Sequence, residues 1–471
     1  MPMVFSSLVF LLLFLPLFLL LYFVFAKPAW RNAVLLLFSL LFYAWGEPKW
    51  IVCMIGATLI NYGCALWMTR PMRPLFKKLI LAVGVVASLL ALVYFKYASF
   101  LLATVSSILR QDWSIPAVAL PIGISFYTFQ ILTYTVDVYR GKAAVQKNPF
   151  LLLLYVSCFP QLIAGPIVQY ADIEAQLANR SVRMADFSDG MGRFAVGLGK
   201  KALLANLCGK MVEELLAGGG QLSVAGAWLS AAMYMLQIYF DFSAYSDMAI
   251  GLGRVMGFTY KENFNYPYIS GSVSEFWRRW HISLGSFFRE YVYIPLGGNR
   301  AGMAKTIRNL LIVWCLTGFW HGASWNFLLW GLYYGAWIVA ERFLYPKLLD
   351  RTPKAVRVAC TLLIVLVGWI LFYHTDLSLA GAHIGALIGI GATGLIDANV
   401  VTVLQTYTVF PLLAAVCCLP VIPRVKAALE RTPLGARSLP VAAVLLQTVV
   451  LALSVIFLVG QSYNPFIYFR F

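Results

Sequence analysis

The sequence predicts an all-α polytopic membrane protein of about 11–13 membrane segments, some of them re-entrant, in one integral-membrane domain over residues 1–471. Two observations carry this expectation. Of 471 residues, 61% are apolar and only 12% are charged, about half the roughly 25% usual for a soluble domain. The apolar residues also run in blocks of about 18 or more, long enough to cross a hydrocarbon layer of about 30 Å as helix. A soluble enzyme, a secreted domain, a nucleic-acid binder and a fibrous protein are thereby excluded as the primary class.

The first block, 5–26, has neither a basic start nor a small-residue cleavage site, so a retained helix is expected rather than a cleaved leader. Further segments are expected at 32–46, 50–68, 79–108, 116–139, 150–169, 194–216, 225–251, 309–340, 357–373, 379–395, 402–422 and 439–460. No linker, repeat or low-complexity run separates them. Lys and Arg total 36 against 19 Asp and Glu, a net charge of +17. In a soluble chain this would suggest nucleic acid. Here the bases gather in three short, acid-poor loops: Arg70, Arg73, Lys77 and Lys78; Arg342, Lys347, Arg351, Lys354 and Arg357; Arg424, Lys426, Arg431 and Arg437. Such loops face the cytoplasm and anionic lipid. Counting spans outward from them places both termini outside. Three blocks between the second and third loops cannot begin and end on one side. The Gly- and Ala-rich 379–395 is therefore expected not to span.

Two stretches break the pattern. Segment 309–340 would be about 48 Å long as one helix, and His321-Gly322-Ala323-Ser324-Trp325-Asn326 interrupts it. It is expected to be a re-entrant pair with arms of roughly 18 and 24 Å and His321 at the tip near mid-membrane. Irregular backbone at that depth is tolerated only inside protein or along a wet cavity. Segment 271–300 interleaves aromatics with Arg278, Arg279, Arg289 and Glu290. It is too polar to span and suits an interfacial or re-entrant position on the cytoplasmic side.

Candidate chemistry is sparse. Of four histidines, His321 and His281 lie in or beside apolar blocks, where an ionisable group points to function; a neutral imidazole bonding a neighbouring helix is the plainer alternative. His374 and His383 fall near an outer loop and read as structural. Asp241 and Asp247 sit in a long apolar block, six residues apart and so not on one helix face. They make structural hydrogen bonds or pair with an arginine of 271–300, or one of them orients a catalytic histidine. The eight cysteines form no CxxC pair and read as buried thiols. GxSxG, GxxxxGK[ST], HExxH and H-x4-D motifs are absent. What is left is a buried histidine able to take a proton from a hydroxyl. With an activated donor such as a thioester, that is acyl transfer to an alcohol.

At these residues the chain resembles the membrane-bound O-acyltransferase family, and within it the bacterial proteins that O-acetylate alginate, cellulose and peptidoglycan. The resemblance rests on FYAWGEP at 42–48, LPIGISFYTFQ at 120–130, FPQLIAGPIVQY at 159–170, DFSAYSDMAIG at 241–251, NFNYPY at 263–268, EFWRRWHISL at 275–284, REYVYIPLGGNR at 289–300 and LTGFWHGASWNFLLWG at 316–331. It implies that His321 is the catalytic histidine and that His281 fills a supporting position held by histidine or asparagine. Trp320 and Asn326 would support the site. It further implies no bound cofactor, a cytoplasmic thioester donor such as acetyl-CoA, and a bacterial inner-membrane location. The implied partners are the lipid bilayer, an SGNH-type extracytoplasmic acetyltransferase and a polysaccharide biosynthesis complex, with no nucleic acid. Arg278, Arg279 and Arg289 would attract the donor's phosphates or merely anchor the segment. The aromatic tail at 466–471 is a membrane-interface belt, a strip that docks the extracytoplasmic partner, or a tail that brings the Tyr468 hydroxyl to the site mouth. A transporter or flippase for an activated lipid or sugar, and a scaffold in a polymer-export complex, are the competing functions. They differ from the enzyme in tolerating loss of His321.

Overall fold

The structure, a computed structural model, describes residues 3–115, 118–217, 221–460 and 466. It is 76% helical, with no strand among the described residues. Among the described residues, five helices are long and apolar enough to cross a membrane: Pro28–Gly46, Ile51–Met68, Pro74–Leu109, Lys354–Tyr373 and Pro433–Gly460. The chain is an all-α polytopic membrane protein. The other expected segments are shorter, bent or more polar. Block 150–169 is one of them: its helix Pro149–Ser157 ends before Cys158, and a four-residue helix Phe159–Leu162 follows. Pro160 explains the break, because it offers no N–H and its ring clashes with the carbonyl four residues back. Block 402–422 is likewise bent, by 68° between Ala398–Tyr407 and Phe410–Cys417. Thr408 sits there at φ 26°, and Pro411 opens the second helix. Block 379–395 contains only the helix Leu377–Leu387, about 16 Å long and too short to cross.

The chain forms two compact units. The first comprises Met1–Phe194 and Tyr245–Lys261. Prolines at 28, 74 and 149 open three of its helices, where their missing N–H costs nothing. Phe10, Phe14 and Phe18 recur every fourth residue and so share a helix face. All three pack on Phe159, with ring centroids 6.2, 5.5 and 5.2 Å away. Arg180 is buried, and its Nε donates to the Tyr22 hydroxyl (3.1 Å) and the Met256 carbonyl (3.0 Å). Asp247 belongs to this unit and accepts from Arg193 at 2.8 Å.

The second unit comprises Ala195–Ala244 and Glu262–Phe471. At its centre two helices, Met303–His321 and Trp325–Phe343, form a hairpin. The break at Gly322-Ala323-Ser324 lies where the sequence places it. The arms, however, are 19 residues each, about 28 Å, and longer than expected. The polar ends do not stop these helices because their side chains are satisfied inside the fold. Asn309 Nδ2 donates to Leu296 O (3.2 Å) and Gly298 O (2.9 Å), and the Glu341 carboxylate accepts from Ser274 N (2.8 Å). The arms cross in backbone contact. A Cβ at Gly318 would collide with the Phe327 carbonyl, and one at Gly331 would collide with the Trp314 carbonyl. The helix Lys354–Tyr373 lies against the second arm, placing Trp369 and Phe372 on Trp330 at 6.2 and 5.1 Å.

Not all cysteines are buried. Cys64, Cys158, Cys208 and Cys418 are, but Cys53, Cys315 and Cys417 are half-buried and Cys360 is exposed on an apolar helix. The expectation of eight buried thiols fails because a lipid-facing helix surface is as apolar as a core. All eight are free thiols.

Candidate active site

His321 ends the first hairpin arm, and Gly322 follows in extended conformation. The imidazole is 4% exposed. Aromatic rings pack on it, among them Trp320 at 4.8 Å, Trp330 at 4.9 Å and Phe372 at 5.3 Å. Asn326 is fully buried just beyond the tip. It accepts from Ser324 Oγ, and its Nδ2 donates to Leu371 O at 3.2 Å. The tip is thus tied to the Lys354–Tyr373 helix, and His321 is held in place by packing from two sides.

His281 reaches the same cluster from another direction. Trp320 lies between the two imidazoles, 6.0 Å from His281 and 4.8 Å from His321. His281 joins two short helices, Val273–Arg279 and Ile282–Phe288, at φ 47° and ψ 53°. This left-handed conformation is uncommon outside glycine, asparagine and a few other residues, and such outliers gather at functional sites. Asn263 fixes it: Ile282 N donates to Asn263 O (3.0 Å) and Ser283 N to Asn263 Oδ1 (3.1 Å). His281 Nδ1 lies 3.2 Å from the same Oδ1. An oxygen already accepting from an amide calls for a donor, which assigns the proton to Nδ1. Phe242 stacks edge-on against the ring at 4.6 Å.

Burial pushes the His281 pKa down to about 3, so the ring is neutral throughout the physiological range. The unfolded chain binds this proton below about pH 6.5, whereas the folded chain resists it. The stabilisation is therefore complete above that pH and is lost as pH falls, by at most about 1.4 kcal/mol per unit. His374, driven down to about 4 by burial and by His383, acts in the same direction. We expect the unfolding temperature in detergent to drop between about pH 7 and pH 5 and His281→Asn to flatten that drop. Parallel curves for the two proteins would contradict this account of His281.

Glu341 is a residue that sequence reasoning passed over. Its buried carboxylate accepts from Val273 N, from Ser274 N (2.8 Å) and from Ser274 Oγ (2.6 Å). It therefore anchors the start of the helix that leads to His281. A lone acid beside the basic Arg342 gave no local signal. Trp330 and Phe372 were also passed over, as aromatics among many. The arginines divide. Arg279 is held by Glu275 at 2.9 Å and donates to Asn265 O, whereas Arg278 and Arg289 are exposed. Asp241 is buried and accepts from Lys201 Nζ at 2.6 Å. With Arg193 on Asp247, both carboxylates have cations from 184–205, so their partners are structural and the alternative of an arginine from 271–300 is not the pairing found. His374 and His383 pair at 3.0 Å, and His383 Nε2 lies 3.0 Å from Ala227 O. Tyr468 lies outside the described residues. Among the described residues no group of three or more His, Cys, Asp or Glu is gathered as a metal site would require.

Comparison with known proteins adds the family. The model of MBOAT, the membrane-bound O-acyltransferase family, matches residues 141–375, a range that includes both site histidines. The chain is 40% identical to a probable alginate O-acetylase AlgI of Pseudomonas putida, with 100% of both chains covered. It is 31% identical to a peptidoglycan O-acetyltransferase of Helicobacter pylori over 83% of this chain and 81% of that one. It is 28% identical to a teichoic acid D-alanyltransferase of Bacillus subtilis over 47% and 59%. A full-length relative at this identity, together with the family match across the hairpin, leaves one conclusion: the chain belongs to the membrane-bound O-acyltransferase family and is an O-acyltransferase of the membrane.

Proposed function

We propose that the protein moves acetyl groups from a cytoplasmic thioester, acetyl-CoA, through the bacterial inner membrane for O-acetylation of an exopolysaccharide of the alginate type. His321 is its general base. The observation that carries this reading is the placement of His321: a buried imidazole at the break of a hairpin, walled by Trp320, Trp330 and Phe372. Relatives named for acetylation of alginate and of peptidoglycan supply the acyl group and the kind of acceptor.

In the proposed step the imidazole takes the proton of the acceptor hydroxyl as its oxygen attacks the thioester carbonyl. The tetrahedral species collapses, the carbon–sulfur bond breaks, and the imidazolium returns the proton to the leaving thiolate. Products are an acetyl ester and a free thiol, so no covalent enzyme intermediate is needed. His281, neutral and locked by Asn263, supports the cluster through Trp320. The exposed Arg278 and Arg289 are the cations available to the donor's phosphates. The positive-inside loops set both termini outside, where an SGNH-type partner would receive the group.

The test is acetyl transfer in proteoliposomes, with labelled acetyl-CoA supplied to one face and an acceptor polysaccharide with the extracytoplasmic partner to the other. Label is expected on the polymer when donor meets the face bearing the three basic loops. Transfer no greater than in protein-free vesicles, with the partner present, would refute the reading.

A further inference from the structure

Attack on a thioester turns the carbonyl oxygen into an oxyanion, and a fixed donor aimed at that oxygen is commonly the largest single catalytic contribution. A general base does not supply it. Beside His321 stands a donor with no hydrogen-bond partner among the described residues. Trp330 is fully buried, its ring is in contact with that of His321 at 4.9 Å, and its indole Nε1–H is without a hydrogen-bond partner among the described residues. Leaving a buried N–H unpaired is costly, and native structures keep such groups chiefly where a ligand, water or reacting group will meet them. Trp277 shares the unpaired N–H, but its ring contacts run to Trp314, Tyr334 and Trp330. Between these two indoles, Trp330 alone touches the histidine. Two other indoles are spent on structure: Trp228 Nε1 donates to Leu387 O and Trp30 Nε1 to Leu21 O.

Trp330 is also rigid. Gly331 beside it is in backbone contact with the first arm, and Trp369 and Phe372 close on the ring from the next helix. A donor that cannot reorient is what oxyanion stabilisation requires, because no reorganisation is then needed as charge develops.

We propose that the Trp330 indole N–H donates to the acyl carbonyl oxygen and stabilises the oxyanion as the acceptor hydroxyl attacks, making Trp330 a catalytic residue. This rests on the reading of His321 as the base of a thioester-dependent transfer. In the step, the carbonyl π electrons move onto oxygen and the N–H hydrogen bond strengthens without proton transfer. The pair returns when the thiolate leaves.

The experiment replaces Trp330 with β-(3-benzothienyl)alanine, which keeps the ring shape and puts sulfur in place of N–H. We expect kcat to fall about 10²–10³-fold, with KM for acetyl-CoA and the unfolding temperature in detergent unchanged. The same replacement at Trp228, whose N–H serves a backbone carbonyl, leaves kcat intact. A fully active 330 variant, alongside an inactive His321→Ala protein, overturns the donor role and leaves the base reading standing. Activity in both overturns the base reading itself. A second measurement needs only the wild-type protein: the infrared carbonyl stretch of bound carbonyl-labelled acetyl-CoA. A downshift from the free thioester is expected, and an unshifted band overturns the proposal even if the variant fails to insert.

Discussion

Replacing His321 by alanine is expected to lower acetyl transfer by about 10²–10⁴-fold, the range lost when a positioned general base is removed. The loss should fall on kcat. The imidazole is walled by Trp320, Trp330 and Phe372, and nothing in its surroundings marks it as a phosphate or pantetheine contact, so KM for acetyl-CoA should change little. The hairpin itself should survive, because Asn326 and the Gly318–Gly331 crossing hold the tip independently of the ring. Equal insertion of both proteins, judged by membrane yield and by unfolding temperature, makes the comparison fair. A variant that transfers at the wild-type rate would move the base elsewhere and reopen the transporter and scaffold readings.

The second large effect concerns stability. Asp241 and Lys201 are 2% and 4% exposed at the side chain and 2.6 Å apart. Removing one member of a buried ion pair strands the other charge, at a cost of about 3–5 kcal/mol. Asp241→Ala should therefore lower the unfolding temperature sharply and reduce membrane yield. Combining Lys201→Met with Asp241→Leu removes both charges and should restore most of the loss, since well-packed apolar replacements of buried pairs are often neutral. Activity should follow. The residue after Asp241 is Phe242, whose ring packs on His281 at 4.6 Å, so a shift of that helix disturbs the histidine cluster. An Asp241→Ala protein as stable as the wild type would show that the pair does not clamp these helices.

Much of this was legible along the chain, and the parts that were not share a cause. The apolar blocks and the His321 break are local signals, and the hairpin turns where His-Gly-Ala-Ser predicts. Its arms were underestimated because the sequence reading stops helices at Arg308 and near Arg342, whereas partners elsewhere in the fold satisfy the polar ends. Glu341 illustrates this: it serves amides 67 and 68 positions away, and no window of sequence contains both. Lys201 is hidden for the same reason, 40 positions from Asp241. Block 150–169 was misread in the opposite sense, since high apolarity masked Pro160. The proximity of His281 to His321 through Trp320 is purely tertiary; only the resemblance to a family suggested that the two belong together.

The hairpin has a consequence for how the protein is made. Its arms are as long as the spans Pro28–Gly46 and Ile51–Met68, yet neither is apolar enough to count among the five candidate spans. A segment of that kind gains little from partitioning into lipid alone and relies on neighbouring helices already in the bilayer. Its second arm packs on Trp369 and Phe372, which follow the arm's last residue, Phe343, by 26 and 29 positions. A nascent chain that stops short of Lys354 would hold His321 in a hairpin without its outer wall. The aromatic wall around His321 is thus completed only when this later helix arrives, which couples the packing of the hairpin tip to downstream sequence.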